Sequence, residues 1–343
     1  MSIVICNYEV ISPLGYGAQE NWRNLFIKDY SPNYKLNISE FQIADFLWET
    51  VACEFRDVVP ERVAVVLSNS KYNFSAFGDE TRFVNTFLPH NLSSYVAAKI
   101  GNGCIPYSVS GACATGIMSV MKGVEILNRG IADVVLAGSI EASIVPLMQA
   151  SFQQLGVLSK RRQTLPFDRQ REGFVIGEGG AMFVLKKACE AVNYPKIAGY
   201  SYLNDAYDLV AFNPNTQSIE RAIKLATSDI SNIGYVNAHG TATKINDALE
   251  LKALTTVYGQ TDKRPYVSST KGHTGHLLGA TGSVELALTL LSLQHQQVIP
   301  HKELSNPMPE IVPFIENSPT FIESALTLNY GFGGHVAALA ISR

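Results

Sequence analysis

Short β-branched runs and helical stretches alternate twice along this 343-residue chain, and that alternation constrains the fold more than any other feature. The runs Ile3–Cys6, Val63–Leu67, Ile105–Val109, Val134–Ala137, Met182–Leu185, Gly234–Val236, Tyr266–Ser268 and Ala337–Ile341 read as buried strands. Between them, Cys113 to about Asn128, Ile219–Ser228, Asp247–Val257 and about Gly279 to Gln296 read as helices, with Gly130 and Pro300 as stop signals. Apolar residues make up 46 % of the chain, enough for a large core. One core stops growing at roughly 250–300 residues, so a seam is expected near the middle. The polar, proline-bearing segment Cys189–Pro195 is the candidate, dividing 1–190 from 191–343 as two α/β halves. There is no letter-for-letter repeat, no low-complexity run and no long charged tail, so the seam joins packed halves rather than tethered modules.

Charge excludes several classes of function. With 27 basic and 30 acidic residues, no overall field draws the surface to nucleic acid, and an anionic partner must be met by a local patch. The opening residues have no basic flank and too short an apolar run for a signal segment, and no stretch approaches the ~20 apolar residues of a membrane span. A cytoplasmic protein is expected. Cys6, Cys53, Cys104, Cys113 and Cys189 are odd in number and scattered, with no C-x-x-C pair, so they read as thiols rather than a disulfide framework or zinc knuckle.

One thiol stands apart. Ser110-Gly-Ala-Cys113-Ala-Thr-Gly116 follows a strand directly and opens a helix, which puts the sulfur on a sharp turn among small residues. At a helix N-terminus the free N–H groups and the macrodipole favour thiolate, so a depressed pKa is expected, with the cysteine's own N–H aimed at a developing oxyanion. A second segment, Tyr235-Val-Asn-Ala-His239-Gly-Thr241-Ala-Thr243, delivers a histidine from a strand onto a glycine. A third is Ser268-Ser-Thr-Lys271-Gly-His273-Thr-Gly-His276-Leu-Leu-Gly-Ala-Thr-Gly-Ser-Val-Glu285. The fourth, Asn329-Tyr-Gly331-Phe332-Gly333-Gly334-His335, reads as a glycine-rich turn before the last strand.

At these four places the sequence resembles the elongating β-ketoacyl-[acyl carrier protein] synthases of the thiolase superfamily. The nucleophile of that family falls on Cys113, its first histidine on His239, its lysine on Lys271 and its second histidine on His276, while Glu285 and Asp247 match its supporting acids. Leu165–Glu178 is similar to a block that precedes a core strand, and Asn204–Tyr207 to a loop near the pocket. The resemblance implies a layered α-β-α-β-α thiolase-like fold of two similar halves, the first carrying the cysteine and the second the two histidines and the lysine. It implies decarboxylative Claisen condensation in fatty acid or polyketide synthesis. Cys113 would carry the acyl group, and the N–H groups of Cys113 and Phe332 would form an oxyanion hole. His239 and His276 would stabilise the enolate of a malonyl donor. Lys271, paired with Glu285, would fix the field and His276. Phe332 would act as a gate on Gly331, Gly333 and Gly334, and Thr241 and Thr243 would hold the pantetheine arm. No metal and no cofactor are implied. The implied partner is acyl carrier protein, and the implied assembly a homodimer or a heterodimer with a second ketosynthase-like subunit, paired along Ile105–Val109.

The sequence also departs from the family. Only 112 residues precede Cys113, several tens fewer than usual, in a region that forms part of the cap, and 189–233 is short. Asp208 and Val210 stand where a histidine and a threonine are usual, which removes one expected pantetheine contact, and Gly334-His335-Val336 stands in place of Thr-Asn, which bears on the hydrogen bonds of the gating loop. A metal site of Cys113, His239 and His276 is the structural rival, but their spacing lacks a local ligand pattern and Lys271 would repel a cation. A non-catalytic, chain-length-factor-like subunit is the functional rival, although such subunits typically lack the nucleophile. His273 and His335 read as loop or supporting residues rather than catalysts, and His90, His295 and His301 as surface or helix-end residues. Lys160-Arg161-Arg162 is the one tight basic cluster and a candidate docking contact for an acidic carrier protein.

Overall fold

The computed structural model describes residues 2–71, 88–188, 193–259, 264–316 and 318–343; Cys189 and part of the expected seam lie outside them. Among the described residues the strands are β1 (Ser2–Ser12), β2 (Gly15–Tyr16), β3 (Val63–Ser68), β4 (Ile105–Tyr107), β5 (Val134–Glu141) and β6 (Gly179–Ala188), followed by β7 (Lys196–Asn204), β8 (Tyr235–Asn237), β9 (Tyr266–Ser268), β10 (Ser324–Gly331) and β11 (His335–Ser342). They are hydrogen-bonded in the order β4-β3-β5-β6-β1-β7-β11-β10-β8-β9, with β2 beside β1.

That order contains one pattern twice. In the first run β1 pairs antiparallel with β6, β6 antiparallel with β5, β5 parallel with β3 and β3 parallel with β4. In the second, β7, β11, β10, β8 and β9 repeat the same sequence of senses. The runs meet through Val4 opposite Lys196. The repeat is one of topology, invisible letter by letter. β7 and β10 were not among the strands expected from sequence, and Asn329–Gly331 is the end of β10 rather than part of a turn.

The helices sort into layers by what they bury. Thr281–His295 is buried from Thr281 to Leu293, and Thr115–Asn128 is buried along most of its length, as expected of helices enclosed on all sides. By contrast Gln217–Ala226 buries only Ile219, Ala222, Ile223 and Ala226, a single stripe, and so covers an outer face. The two enclosed helices touch at their N-termini, where a Cβ on Gly116 would meet Ser283 N at 2.4 Å and one on Gly282 would meet Ile117 N at 2.8 Å. Side chains larger than hydrogen would drive the helix starts apart. That close approach sets Cys113, just before the first helix, against His276, just before the second.

Candidate active site

Each reactive side chain leaves the end of a strand on a tight turn. Cys113 sits on the 3₁₀ turn Ala112–Ala114 ahead of helix Thr115–Asn128. Ala112 takes a left-handed φ of 50°, a conformation costing roughly 1–3 kcal/mol in a non-glycine residue. The Thr115 hydroxyl secures the turn, donating to Ala112 O (2.7 Å) and accepting from Gly111 N–H (3.0 Å). The end of β10 presses against it, for a Cβ on Gly331 would lie 2.6 Å from Gly111 O and 3.1 Å from Cys113 N. Gly331 is thus needed for close approach, while Gly333 (φ 87°) and Gly334 (φ 78°) supply the left-handed turn after Phe332.

His239 follows β8 on a loop held by Glu250, whose carboxylate accepts the N–H groups of His239 and Gly240, each at 2.7 Å. The Lys271 ammonium, wholly buried, donates to Glu285 Oε1 (2.6 Å), to the His239 carbonyl, and to His239 Nδ1 (3.3 Å). Asn329 in turn donates to Glu285 Oε2 at 2.6 Å. His276 is gripped through its backbone, donating to Val175 O (2.8 Å) and accepting from Gly177 N–H (3.0 Å). Its Nδ1 accepts the Leu278 N–H at 3.2 Å and lies 2.9 Å from the Thr281 hydroxyl. In both rings Nδ1 is an acceptor, which leaves the proton on Nε2. The two imidazoles lie edge to face, centroids 5.6 Å apart.

Burial holds both rings neutral. The pKa values of His239 and His276 are driven far below the ordinary histidine range by desolvation, reinforced by the Lys271 charge. Burial likewise pushes the Cys113 thiol up to about 11, opposite to the depressed value that its helix-start position suggests. The sequence displays the helix terminus but not the desolvating walls. Glu250 is raised to about 7 and Asp247 to about 6, again by burial first.

Cys113, His239, His276, Phe332, Thr241 and Thr243 all line one cavity of about 1450 Å³. The two threonine hydroxyls are 2.9 Å apart. Asp247 does not face the cavity; it accepts Phe167 and Ala242 N–H and braces the histidine loop. Lys271 contacts His239, not His276 as the sequence reading had it. The turn after Phe332 is hydrogen-bonded despite its unusual residues. Asn204 Nδ2 donates to Gly333 O (2.6 Å), Gly333 N–H to Leu209 O (2.8 Å), and the Tyr202 hydroxyl meets His335 Nδ1. Lys160 and Arg162 line the cavity wall, while Arg161 donates its backbone N–H to Glu172 Oε1 (2.8 Å) and its guanidinium to Gln170 Oε1 (3.4 Å). His301 is half-buried rather than a surface residue, its Nε2 3.1 Å from Val267 O. Sequence reasoning missed Glu250, Asn329 and Thr281; only Glu250 had a signal, its place one turn after Asp247 on the same helix face. Among the described residues no cluster of His, Cys, Asp and Glu is arranged to hold a metal ion, and no helix is long and apolar enough to cross a membrane.

Residues 61–191 match the family profile described as Beta-ketoacyl synthase, N-terminal domain, and residues 194–305 the one described as Beta-ketoacyl synthase, C-terminal domain. The chain belongs to the β-ketoacyl synthase family. It is 35 % identical over 278 residues to 3-oxoacyl-[acyl-carrier-protein] synthase 2 of Staphylococcus aureus (strain COL), an alignment covering 76 % of this chain and 67 % of that protein. It is 33 % identical over 285 residues to a putative mitochondrial 3-oxoacyl-[acyl-carrier-protein] synthase of Schizosaccharomyces pombe, covering 76 % and 67 %. Among solved structures it resembles a β-ketoacyl synthase from Burkholderia phymatum (TM-score 0.85, 22 % identity, 100 % and 99 % covered). It also resembles a chain of a type II polyketide synthase ketosynthase in complex with its acyl carrier protein (TM-score 0.86, 24 % identity, 99 % of each covered). The fold of this ketosynthase-family chain is therefore thiolase-like, as the layering of its helices and strands already indicated.

Proposed function

We propose that this chain is a β-ketoacyl-[acyl carrier protein] synthase that condenses an acyl group carried on Cys113 with a malonyl donor. The observation that carries the reading is the convergence of one thiol and two neutral, Nε2-protonated imidazoles on a single cavity. Cys113 sulfur attacks the acyl thioester carbon and loses its proton, the N–H groups of Cys113 and Phe332 receive the oxyanion, and as it collapses the S–C bond to the carrier arm breaks and the departing carrier sulfur takes up a proton to leave as a thiol. The malonyl Cα–carboxylate bond then breaks, carbon dioxide leaves, and the electron pair forms an enolate whose oxygen accepts from His239 and His276. Its carbon bonds to the acyl carbon and expels the Cys113 thiolate. Imidazoles that burial keeps neutral can donate to a growing oxyanion without first losing a charge.

In this reading Thr241 and Thr243 hold the pantetheine arm, Phe332 gates the cavity, Lys160 and Arg162 meet an acidic carrier protein, and the halves 1–190 and 191–343 contribute nucleophile and histidines respectively. A dimer, homomeric or with a second ketosynthase-like subunit, pairs along β4, which among the described residues is hydrogen-bonded on one side only. The non-catalytic alternative is weakened by a thiol that lines an open cavity beside both histidines.

The test is mass spectrometry of the intact protein after incubation with acyl- and malonyl-carrier proteins. Cys113 is expected to gain the acyl mass and then release an extended product. His239→Ala and His276→Ala should still acylate but condense roughly a hundred- to a thousandfold more slowly, the range for losing one oxyanion donor. No acyl adduct at Cys113 would overturn the reading.

A further inference from the structure

Glu141 ends β5 with its side chain sealed from solvent, and the chemistry described above makes no use of it. Its hydrogen bonds show what it holds. Oε2 accepts the Ser70 N–H (3.0 Å), the Ser70 hydroxyl (2.7 Å) and the Gly279 N–H (3.1 Å), while Oε1 accepts the Ser143 hydroxyl. One buried oxygen thus joins the chain after β3 to the turn that follows His276. The join is tight, for a Cβ on Gly279 would lie 2.6 Å from Glu141 Oε2 and 2.7 Å from Ser70 N.

Gly279 belongs to the 3₁₀ turn Leu278–Ala280, and the residue just before it bears on the chemistry. Leu278 takes a left-handed φ of 49°, which a leucine keeps only where its surroundings hold it. Its side chain is buried in one cluster with Ile144, Phe174 and Ile176, and its N–H donates to His276 Nδ1 at 3.2 Å. The other contact of that ring nitrogen is the Thr281 hydroxyl at 2.9 Å. The two contacts are not equivalent. A hydroxyl can donate or accept, so Thr281 suits either tautomer of the ring, whereas a backbone N–H can only donate. The Leu278 N–H therefore decides that Nδ1 stays bare and that the proton sits on Nε2, and Gly279, next along the chain, is where this turn is anchored to β5.

We propose that Glu141 is a positioning residue for His276: by holding the Gly279 N–H it keeps the Leu278 N–H on Nδ1 and so fixes the ring as an Nε2–H donor. This rests on reading His276 as a donor to the enolate oxygen.

The experiment is nitrogen NMR of protein isotope-labelled on its histidine rings, the His276 signals being identified by their loss in His276→Gln. Wild type is expected to show His276 as the Nε2-protonated tautomer alone. Glu141→Met, which offers no acceptor, should show both tautomers, and its condensation should slow about a hundredfold, the order for a misplaced reacting group, while Cys113 acylates at the wild-type rate. Glu141→Gln is uncharged like the methionine variant but retains a carbonyl oxygen for the N–H groups of Ser70 and Gly279, so it should restore both the single tautomer and most of the condensation rate. Should Glu141→Met not fold, as judged by thermal melting, Glu141→Asp, too short to reach both Ser70 and Gly279, is read against Glu141→Gln in its place. A methionine variant with the wild-type ring pattern, a glutamine variant as defective as the methionine one, or equal losses of acylation and condensation would overturn the proposal. The ring spectrum needs no substrate, so it decides the role of Glu141 even if Cys113 takes no acyl group, and an unchanged spectrum leaves the condensation reading standing.

Discussion

The Lys271 ammonium and the Glu285 carboxylate stand 2.6 Å apart with both side chains sealed from water. Such a pair is poor evidence of stability in itself but expensive to break from one side. Burial raises the Glu285 pKa, so a carboxyl left without its partner takes up a proton and becomes neutral. Lys271→Met is therefore expected to lose less in urea unfolding at pH 7 than the about 3–5 kcal/mol of an uncompensated buried charge. A loss in or above that range would mean that the carboxyl does not neutralise itself.

Gly331 belongs to the nucleophile as much as to its own strand. A methyl group there meets the Gly111 carbonyl at 2.6 Å and the Cys113 nitrogen at 3.1 Å, so Gly331→Ala must shift the turn that aims the sulfur. Displacement near 1 Å at a reacting centre costs on the order of a hundredfold in rate, and acylation of Cys113 in Gly331→Ala should fall by that order. Gly130→Ala is the control. Gly130 also has a left-handed φ, 68°, but open space around its absent Cβ, so it should lose about 1 kcal/mol of stability while acylating normally.

The strands that lead to Cys113, His239 and His276 were legible because each couples a β-branched residue to a tyrosine and runs into a glycine-bearing stretch of small residues, a pattern that needs no partner to be seen. β7 and β10 were not. Their sequences, Lys-Ile-Ala-Gly-Tyr-Ser-Tyr-Leu-Asn and Ser-Ala-Leu-Thr-Leu-Asn-Tyr-Gly, mix polar and apolar residues, and both become strands by pairing with β11. The pairing of Lys271 with Glu285 is as expected, and the same limit explains why the sequence pointed it at His276 rather than His239. β8 and β9 run parallel with Asn237 opposite Ser268, so the chain two or three residues beyond each strand emerges side by side, bringing Lys271 to His239. Lys271 and His276 are close in sequence, but a parallel register decides contact. The Cys113 ionisation failed for a related reason: a helix start is written locally, a buried cavity wall is not.

His273 offers a pH test away from the chemistry. Its Nε2 lies 2.9 Å from Pro300 O, and burial drives its pKa down to about 4. A histidine depressed in the folded state contributes stability that is present above the unfolded value near 6.5 and lost as pH falls toward the folded one. Between pH 7 and pH 5 wild type should lose roughly 2 kcal/mol through this residue, a loss that His273→Gln does not share. The stability gap between the two proteins in urea unfolding should narrow by that amount at pH 5. A constant gap would show that His273 ionises as freely in the folded chain as in the unfolded one.

Carrier-protein docking can be separated from chemistry by salt. Lys160 is exposed and Arg162 lines the same cavity wall, whereas the Arg161 guanidinium donates to Gln170 Oε1 and is not among the lining residues. Rim charges act mainly on encounter, so Lys160→Glu/Arg162→Glu is expected to raise KM for carrier-bound substrate about tenfold at low ionic strength with kcat little changed. The difference should shrink as salt shortens the Debye length from about 30 Å at 0.01 M to about 8 Å at 0.15 M. A small acyl thioester, which presents no acidic protein surface, should react equally well with both enzymes. If it suffers the same rise in KM, the two residues shape the cavity itself and the docking surface lies elsewhere on the chain.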